Sequence, residues 1–222
     1  MRDVIKTNGL IIATDNSGAV GNKQDDIVRV PYETVGYFSA RVALMECVAA
    51  GGEPFVAIIH NFSGDDAWLL LCEGVKQAAS EIGCTLELTG STESNFVMNQ
   101  SATGVVIIGR HIRNIDQFDR NTVRYGVIGK PLVGSEVLEN PDDVASLAIF
   151  KKINSMSGVE SVIPVGSKGI RHELEQITGK SFECGLNLEK SSGPATCFII
   201  AVQEAAVEAV EQTAEIVHWC KT

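Results

Sequence analysis

Residues 41–54 of the 222-residue chain are RVALMECVAAGGEP, an apolar helical pattern that stops at two glycines and a proline. Apolar residues recur at three- and four-residue steps through residues 34–50, which predicts a helix. The glycines end that helix, and Pro54 prevents it from continuing. The apolar residues 55–60 that follow predict a buried strand. A helix that leads into a buried strand predicts a chain of the mixed α/β or α+β class.

Outward from this stretch, short apolar strands and amphipathic helices are mixed along the whole chain. Asp15–Asp26 is rich in Gly, Asn and Asp and predicts a loop. A polar stretch around residues 110–121 predicts two domains, 1–112 and a smaller 113–222. The other predicted strands are 10–14, 27–30, 85–89, 102–109, 123–128, 133–138, 159–165, 181–188 and 195–202, and the other predicted helices are 67–82, 141–155, 170–178 and 204–220.

Composition excludes several classes of function. The formal net charge of -10 disfavours a nucleic acid partner, because phosphate backbones attract basic surfaces. The charge alone favours a protein that is merely well solvated, and it also fits a protein that collects carboxylates for Mg²⁺. No apolar run is long enough to span a bilayer, and the N-terminus lacks a signal-peptide core, so we expect no membrane partner and a cytoplasmic location. The six cysteines form no CxxC and are expected to be reduced.

Common catalytic and nucleotide-binding motifs are missing from the chain. There is no GxxxxGK[ST], no GxGxxG between a strand and a helix, no GxSxG and no HExxH. The first informative segment is instead IIATDNSGAVGNKQDD, residues 11–26. It leaves a strand for a glycine-bearing stretch with three carboxylates and one lysine, a combination that can hold Mg²⁺ and phosphate. The alternative is an ordinary polar surface turn.

The turn GGEP, residues 51–54, resembles the GAxP- or GAEP-like turn of the PurM-like superfamily, which includes aminoimidazole-ribonucleotide synthetase and thiamine-monophosphate kinase. In these proteins an acidic residue lies five positions before the first glycine, and Glu46 occupies that position here; the alternative for Glu46 is a solvated helix residue. Further segments resemble the family's motifs, in the family's order and along nearly the whole chain. In the first half, Ala13–Asp15 resembles the STDG-like strand end, 68–83 resembles the helix that ends in AAxxxG, and 89–93 resembles the GG[DE]T loop. In the second half, 127–131 resembles the DVVIGLPSS-like hairpin, 167–170 resembles the SDGL turn, and 191–193 resembles SGG.

The resemblance implies a two-domain PurM-like architecture that binds ATP and Mg²⁺, with the N-terminal domain sheets paired in a homodimer. It also implies roles for individual residues. The implied metal ligands are Asp15, Glu46 and Glu93. The implied ATP- or phosphate-binding residues are Asn16, Ser17, Gly18, Lys23, Gly90, Ser91 and Thr92. The catalytic candidates are Lys23, Asp25 and Asp26, and the substrate candidates are Ser167, Lys168 and Ser192, with His172 as a weaker one.

Three departures from the family pattern concern acidic positions. Ser91 replaces the acid of GG[DE]T, Lys168 replaces the acid of SDGL, and 194–196 replace the acids after SGG. The nucleotide-binding half of the chain thus follows the family pattern, whereas the half that would bind the phosphate acceptor departs from it. This combination favours an ATP-dependent small-molecule kinase. The short superfamily member α-ribazole kinase, which phosphorylates the 5′-hydroxyl of a riboside in cobalamin salvage, fits this description. The alternatives are an ATP-dependent ring-closing synthetase and a non-catalytic nucleotide-binding scaffold.

Overall fold

The computed structural model describes residues 3–115 and 118–221, which form two compact units. The first unit is Met1–Arg113 and the second is Asn114–Thr222. Each unit has its own sheet and its own helices, which confirms the α+β class predicted from the sequence. Within the described ranges, no helix is both long enough and apolar enough to cross a lipid bilayer.

The first unit is built on a five-stranded sheet. In chain order, the strands of the whole unit are β1 (Val4–Thr7), β2 (Leu10–Gly18), the short β3 (Val20–Gly21) and β4 (Val28–Arg29), β5 (Gly52–Asn61), β6 (Glu87–Thr92) and β7 (Ala102–His111). The order across the main sheet is β1-β2-β7-β5-β6, while β3 and β4 form a separate parallel pair. β5 and β6 are parallel, and the other neighbours in the main sheet are antiparallel.

Two helices, α1 (Tyr32–Ala49) and α2 (Trp68–Glu81), pack together and against the first-unit sheet. α1 is buried around most of its circumference, because it contacts both the sheet and α2. The helices approach closely at Gly36 and Gly74. A Cβ added at either glycine would overlap a backbone carbonyl oxygen of the facing helix, so only glycine allows this contact.

The two faces of the first-unit sheet differ in burial. In the middle of the sheet the face toward the helices is fully buried, whereas the other face carries half-buried apolar side chains together with exposed polar residues such as Thr14 and Thr89. We refer to that second surface as the outer face. The buried face includes Ile11, Ala13, Ala57, Ile59, Val105 and Ile107, and the outer face includes Ile12, Val56, Ile58, Val106 and Ile108.

The second unit has a four-stranded antiparallel sheet. Its elements are β8 (Val123–Ile128), α3 (Glu136–Glu139), α4 (Leu147–Asn154), β9 (Val159–Pro164), α5 (Gly169–Thr178), β10 (Phe198–Gln203), α6 (Val207–Ala214) and β11 (His218–Trp219). The strand order is β11-β8-β10-β9. β10 is buried along almost its whole length, so it is the centre of this unit's core.

Helices α1, α2 and α5 confirm three predicted helices, and the strands predicted at 102–109, 123–128 and 159–165 are present. The predicted loop from Asp15 is wrong in its first part, because β2 continues to Gly18. The polar residues Asp15–Gly18 pair with β7 along this extension. Backbone pairing therefore prevails over the turn preference of Asn, Ser and Gly. The strand predicted at 85–89 is shifted toward the C-terminus as β6.

Four predictions in the second unit are wrong in whole or in part. Residues 133–138 are not extended, since α3 begins at Glu136. Residues 181–188 form no strand and only one isolated bridge, between Glu183 and Lys221. The helix predicted at 204–220 ends at Ala214, because Glu215 adopts a φ of 61° and the chain turns into β11. The helix predicted at 141–155 is a 3₁₀ turn, Pro141–Asp143, and then α4, whose N-terminus is capped by the Ser146 hydroxyl.

Candidate functional site

Two of the segments singled out in the sequence lie at the same end of the first-unit sheet. The end of β2 pairs with the start of β7, and the end of β5 pairs with β7 on one side and with β6 on the other. Because neighbouring strands are about 4.8 Å apart, β2 and β6 lie about 14 Å apart here. Three rows cross the sheet at this end: Asp15, Val105, Ile59, Gly90; Asn16, Gly104, His60, Ser91; and Ser17, Thr103, Asn61, Thr92.

Strand alternation divides these residues between the two faces of the sheet. The first and third rows share the face toward the helices, where Val105 and Ile59 are buried. The middle row, with Asn16 and Ser91, lies on the opposite and more exposed face. The implied phosphate-binding set is thus split between two faces. We define the polar end as the helix-facing residues Asp15, Ser17, Gly90, Thr92 and Thr103.

Asp15 supplies the carboxyl group of the polar end, and the pKa of this group is strongly perturbed. It is half-buried, and burial raises the pKa of its carboxyl to about 7. A hydrogen bond with the Asn16 backbone opposes that rise, and the negative charge of Asp3 adds to it. A carboxyl group with a pKa near neutrality gains from a cation nearby, which favours its ionised form. Asp15 is therefore a good candidate to face a cation.

Thr103 contributes a buried hydroxyl group that is not used within the protein. Its side chain is 3% exposed, and its Oγ1 has no hydrogen-bond partner within residues 3–115 and 118–221. The neighbouring Asn61 is satisfied, since its Nδ2 donates to the Gly64 carbonyl oxygen at 2.8 Å and to Thr92 Oγ1 at 3.1 Å. A buried hydroxyl without a partner costs about 1–3 kcal/mol. A polar ligand atom at this end of the sheet would remove that cost.

A cleft of about 280 Å³ opens beside β6. The cleft is lined by Asp65 and Trp68, at the start of α2, and by Gly90–Thr92. Gly90 is needed for this arrangement. An added Cβ would overlap the Ile59 carbonyl oxygen and lie 2.8 Å from the Trp68 ring. The segment that resembles GG[DE]T therefore forms one wall of a cleft whose opposite wall offers an indole ring and a carboxylate.

Asp26 has a different environment from Asp15. Its carboxylate is 8% exposed and accepts hydrogen bonds of 2.7 Å from the Lys23 backbone N–H, the Ser101 backbone N–H and the Ser101 hydroxyl. Burial opposes ionisation, but the Ser101 and Lys23 hydrogen bonds and the charge of Arg29 lower the pKa of Asp26. A carboxylate with three donors and a lowered pKa is a poor proton acceptor. Its contacts fasten residues 23–26 to the start of β7.

Lys23 and Asp25 lie on the same loop as Asp26. The Lys23 ammonium donates to the Met98 carbonyl oxygen at 2.7 Å. Asp25 is exposed, and its backbone is held by Asn99 and Gln100. This loop therefore lies against residues 98–101. It follows Gly18, which is the exposed last residue of β2. Of the two aspartates proposed for catalysis, Asp25 has the carboxylate that is open to solvent.

Glu46 and Glu93 lie on different elements. Glu46 is buried in α1, the helix that packs against β2 and β7. Glu93 follows β6, and its Oε1 accepts hydrogen bonds from the Asn95 and Phe96 backbone N–H groups at 2.7 and 3.3 Å. Within residues 3–115 and 118–221, no three His, Cys, Asp or Glu side chains are placed to hold one metal ion. A metal here would take only one or two carboxylates from the described residues.

The substrate candidates of the second unit lie near one another. The Ser192 backbone N–H donates to the Gly166 carbonyl oxygen at 3.1 Å, which joins the turn 191–193 to the loop that contains Ser167 and Lys168. Ser167 and Lys168 are exposed just before α5, and His172 is half-buried within it. The Ser192 hydroxyl is fully buried and bonded to Thr196 Oγ1 at 2.8 Å and to the Cys197 backbone N–H at 3.2 Å. It is used within the fold.

Sequence reasoning missed Thr103, Ser101 and the cleft residues Asp65 and Trp68. Thr103 and Ser101 stand in QSATGVV, residues 100–106, where Ser101 directly precedes the predicted strand 102–109 and Thr103 is its second residue. Serine and threonine at the start of a buried strand are therefore a usable sequence signal for polar site residues. Trp68 carries no local signal, because its role comes from the contact of α2 with β6.

Comparison with solved structures identifies the architecture. The hydrogenase maturation protein HypE in complex with ATP superposes with a TM-score of 0.64 and 13% sequence identity, covering 98% of this chain and 78% of HypE. HypE from a HypE–HypF complex gives a TM-score of 0.66 at 12% identity, covering 99% and 87%. Thiamine monophosphate kinase from Aquifex aeolicus gives 0.62 at 14%, covering 92% and 82%. The chain has the PurM-like fold.

The PurM-like fold predicted from the sequence is thereby confirmed. No protein-family model matches the chain, and no curated protein matches it in sequence. With identities of 12–14%, the likeness to these solved structures concerns the fold alone.

Proposed function

We propose that this PurM-like protein binds ATP with Mg²⁺ and transfers the terminal phosphoryl group to a hydroxyl group of a small molecule. The main support is the polar end, where Asp15 and Ser17 share one sheet face with Gly90 and Thr92. These segments are far apart in sequence and were singled out from motifs alone. A PurM-like protein of known structure, HypE, binds ATP, and another is named a kinase.

Asp15 and Glu46 are the proposed ligands of Mg²⁺, with Glu93 as a third candidate. Mg²⁺ keeps several water molecules and commonly takes one or two carboxylates together with phosphate oxygens, so a large carboxylate cluster is not required. The raised pKa of Asp15 fits this role, because a bound cation would stabilise the ionised carboxylate. When bound, Mg²⁺ neutralises charge on the phosphates.

The proposed phosphate contacts come from the polar end and the adjoining loop. The Thr103 hydroxyl has no hydrogen-bond partner among the described residues, and Gly90 lines the adjoining cleft. Lys23 would exchange its bond to the Met98 carbonyl for a phosphate oxygen. The cleft beside Trp68 offers a surface for the nucleoside part of ATP, because aromatic rings stack on bases. Ser17 and Thr92 are further proposed contacts on this side of the sheet, and Gly18 is one at the end of β2. Asn16 and Ser91 lie on the opposite face, so they would reach a phosphate only from the edge of the sheet.

The acceptor side of the reaction is proposed to use the second unit. Ser167 and Lys168 are exposed before α5 and can donate to polar groups of a substrate. Ser192 would act by holding the turn beside them, since its hydroxyl is occupied. Among the catalytic candidates, we favour Asp25 as the proton acceptor, because its side chain is exposed whereas the Asp26 carboxylate already accepts three hydrogen bonds. Our specific candidate for the acceptor is α-ribazole.

A homodimer formed through the outer face completes the proposal. Ile12, Ile58 and Val106 make this face apolar and half-buried, which fits the sheet of a second copy. Light scattering of the wild-type protein should give twice the mass of the chain. Val106→Asp should give a monomer, because it places a charge at the centre of the face. A wild-type monomer would remove this part of the proposal.

A non-catalytic nucleotide-binding scaffold is the second candidate. The specific observation that favours it is that Ser91 and Lys168 stand at two acidic positions of the family pattern. In a scaffold, Asp15→Asn would leave the biological role intact, whereas in a kinase it would abolish product formation.

The deciding experiment is an ATP consumption assay with Mg²⁺ over nucleosides and vitamin precursors, including α-ribazole, with mass detection of product. A product heavier than one panel member by a phosphoryl group would establish the kinase and its acceptor. ATP binding without turnover on any member would favour the scaffold or a ring-closing synthetase. Failure to bind ATP at all would overturn the proposal.

A further inference from the structure

The second unit contains a pair of neighbouring thiols that the proposed function does not use. Cys184 lies in the segment between α5 and β10, and Cys220 lies just after β11. Both side chains are half-buried and pack against the same apolar core, which includes Tyr125 and Phe182. Both cysteines are reduced. Their positions in the backbone pairing explain why they meet.

Glu183 and Lys221 form an antiparallel bridge in which each backbone N–H donates to the other's carbonyl oxygen at 2.8 Å. In antiparallel pairing, the residues next to such a pair face each other without hydrogen bonds, and their side chains are then closest. Cys184 and Cys220 occupy these positions. The Cys220 backbone N–H points away, to the Tyr125 carbonyl oxygen at 2.8 Å, as this register requires.

The thiols themselves interact. Burial, the charge of Cys184 and a hydrogen bond with the Cys184 side chain together raise the pKa of Cys220 to about 12. The Cys220 thiol therefore stays protonated near neutral pH, which leaves Cys184 to attack an oxidant first. A directly opposed pair without backbone hydrogen bonds has a Cα separation of about 4.5 Å, within the range of about 4.4–6.8 Å that a disulfide spans.

We propose that Cys184 and Cys220 form an oxidative modification site, at which a peroxide converts the two thiols into an intramolecular disulfide. The Cys184 thiolate attacks one peroxide oxygen and breaks the O–O bond, giving a sulfenic acid and releasing water or an alcohol. The Cys220 sulfur then attacks the Cys184 sulfur, and the hydroxyl group leaves as water with the Cys220 proton. The two sulfurs are oxidised and the peroxide is reduced.

The disulfide would fasten the chain after β11 to residues 181–188, which otherwise share only the single bridge and core packing. Closing this loop covalently restricts the unfolded chain and raises the stability of the second unit. The same segment continues into the turn 191–193, so oxidation would also reduce the mobility of the substrate candidates.

The test treats the full-length protein with one equivalent of hydrogen peroxide, blocks the remaining thiols and digests at glutamate without reduction. Cleavage after Glu183 and Glu215 isolates each of the two cysteines on its own short peptide, CGLNLE and the segment from Ile216, so a cross-linked pair identifies the bond. We expect that cross-link in most molecules, a loss of two hydrogens in intact mass, and reversal by dithiothreitol.

Cys184→Ser and Cys220→Ser should each abolish the cross-link, while Cys72→Ser, in the first unit, should leave it unchanged and serves as the matched control. Oxidation should raise the thermal midpoint of the wild-type protein and of Cys72→Ser by several degrees, but not that of the other two variants. The proposal is overturned if peroxide adds oxygen atoms to Cys184 without a cross-link, or if the cross-link joins Cys197 or two cysteines of the first unit. The wild-type peptide result decides the matter even if a variant fails to fold.

Discussion

The polar end of the first unit and the turn 191–193 of the second unit are both rich in hydroxyl groups, but they use them in opposite ways. At the polar end, Thr103 Oγ1 has no partner and Asp15 has a raised pKa. In the turn, the Ser192 hydroxyl is bonded to Thr196 and Cys197. Unused polar groups cost stability and are kept where a ligand satisfies them, whereas satisfied groups hold the fold. The difference directs functional tests to the polar end.

The largest expected effect is that of Asp15→Asn on turnover. Loss of a metal-binding carboxylate should reduce kcat/KM on the order of 1000-fold, about 4 kcal/mol of transition-state stabilisation. The folded state should be retained, because asparagine is nearly the same size and removes a charge that is unfavourable when buried. The measurement is steady-state kinetics with a thermal melt of the same sample. Unchanged turnover would remove Asp15 from the site.

Gly90→Ala should show that the cleft wall depends on close packing. The new Cβ would overlap the Ile59 carbonyl oxygen, so we expect the free energy of unfolding to fall by about 3 kcal/mol and ATP affinity to fall with it. The matched control is Gly104→Ala in the neighbouring row, where the nearest atom is 3.6 Å from the new Cβ. That control should change stability by about 0.5 kcal/mol or less. Equal effects in denaturant titrations would contradict the assignment.

The two aspartates should give opposite dependences of stability on pH. The carboxyl of Asp15 has a pKa of about 7 in the folded state against an ordinary 3.8, so the folded state holds its proton more tightly. Its effect should therefore lower the free energy of unfolding, by about 2 kcal/mol after allowance for solvent, as pH rises from 4 to 7. Asp26 has a lowered pKa, so its contribution is present above its ordinary pKa and is lost as pH falls below it.

Denaturant titrations at several pH values separate the two contributions. Asp15→Asn should remove the fall between pH 4 and 7. Asp26→Asn should leave that fall in place and lower stability mainly at neutral pH, because it weakens the bonds to Ser101 and Lys23. An Asp15→Asn protein with the same pH profile as the wild type would show that burial does not perturb this carboxyl.

The sequence was informative where local pattern and fold agree. The run 41–54 predicts α1 and its end at the glycines, and both are present. It was uninformative where tertiary contacts decide the outcome. Residues 181–188 have an apolar alternation typical of a strand, yet their one pairing is that of Glu183 with Lys221, and their apolar side chains pack on the core of the second unit instead. Asn16 and Ser17 lie on different faces because β2 extends to Gly18. The sequence does not indicate this extension, because Asn, Ser and Gly are residues typical of turns.

Ser192→Ala is the smallest expected effect and the sharpest test of the comparison. The variant deprives Thr196 Oγ1 and the Cys197 N–H of a buried partner, so we expect the free energy of unfolding to fall by about 1.5 kcal/mol. Because the hydroxyl is already occupied, KM for the acceptor should change by less than about twofold. Ser167→Ala, on the exposed side of the same loop, is the control: it should leave stability unchanged and raise KM. If instead Ser192→Ala raises KM without loss of stability, its hydroxyl contacts substrate, and the two regions do not differ in the way that their hydrogen bonds indicate.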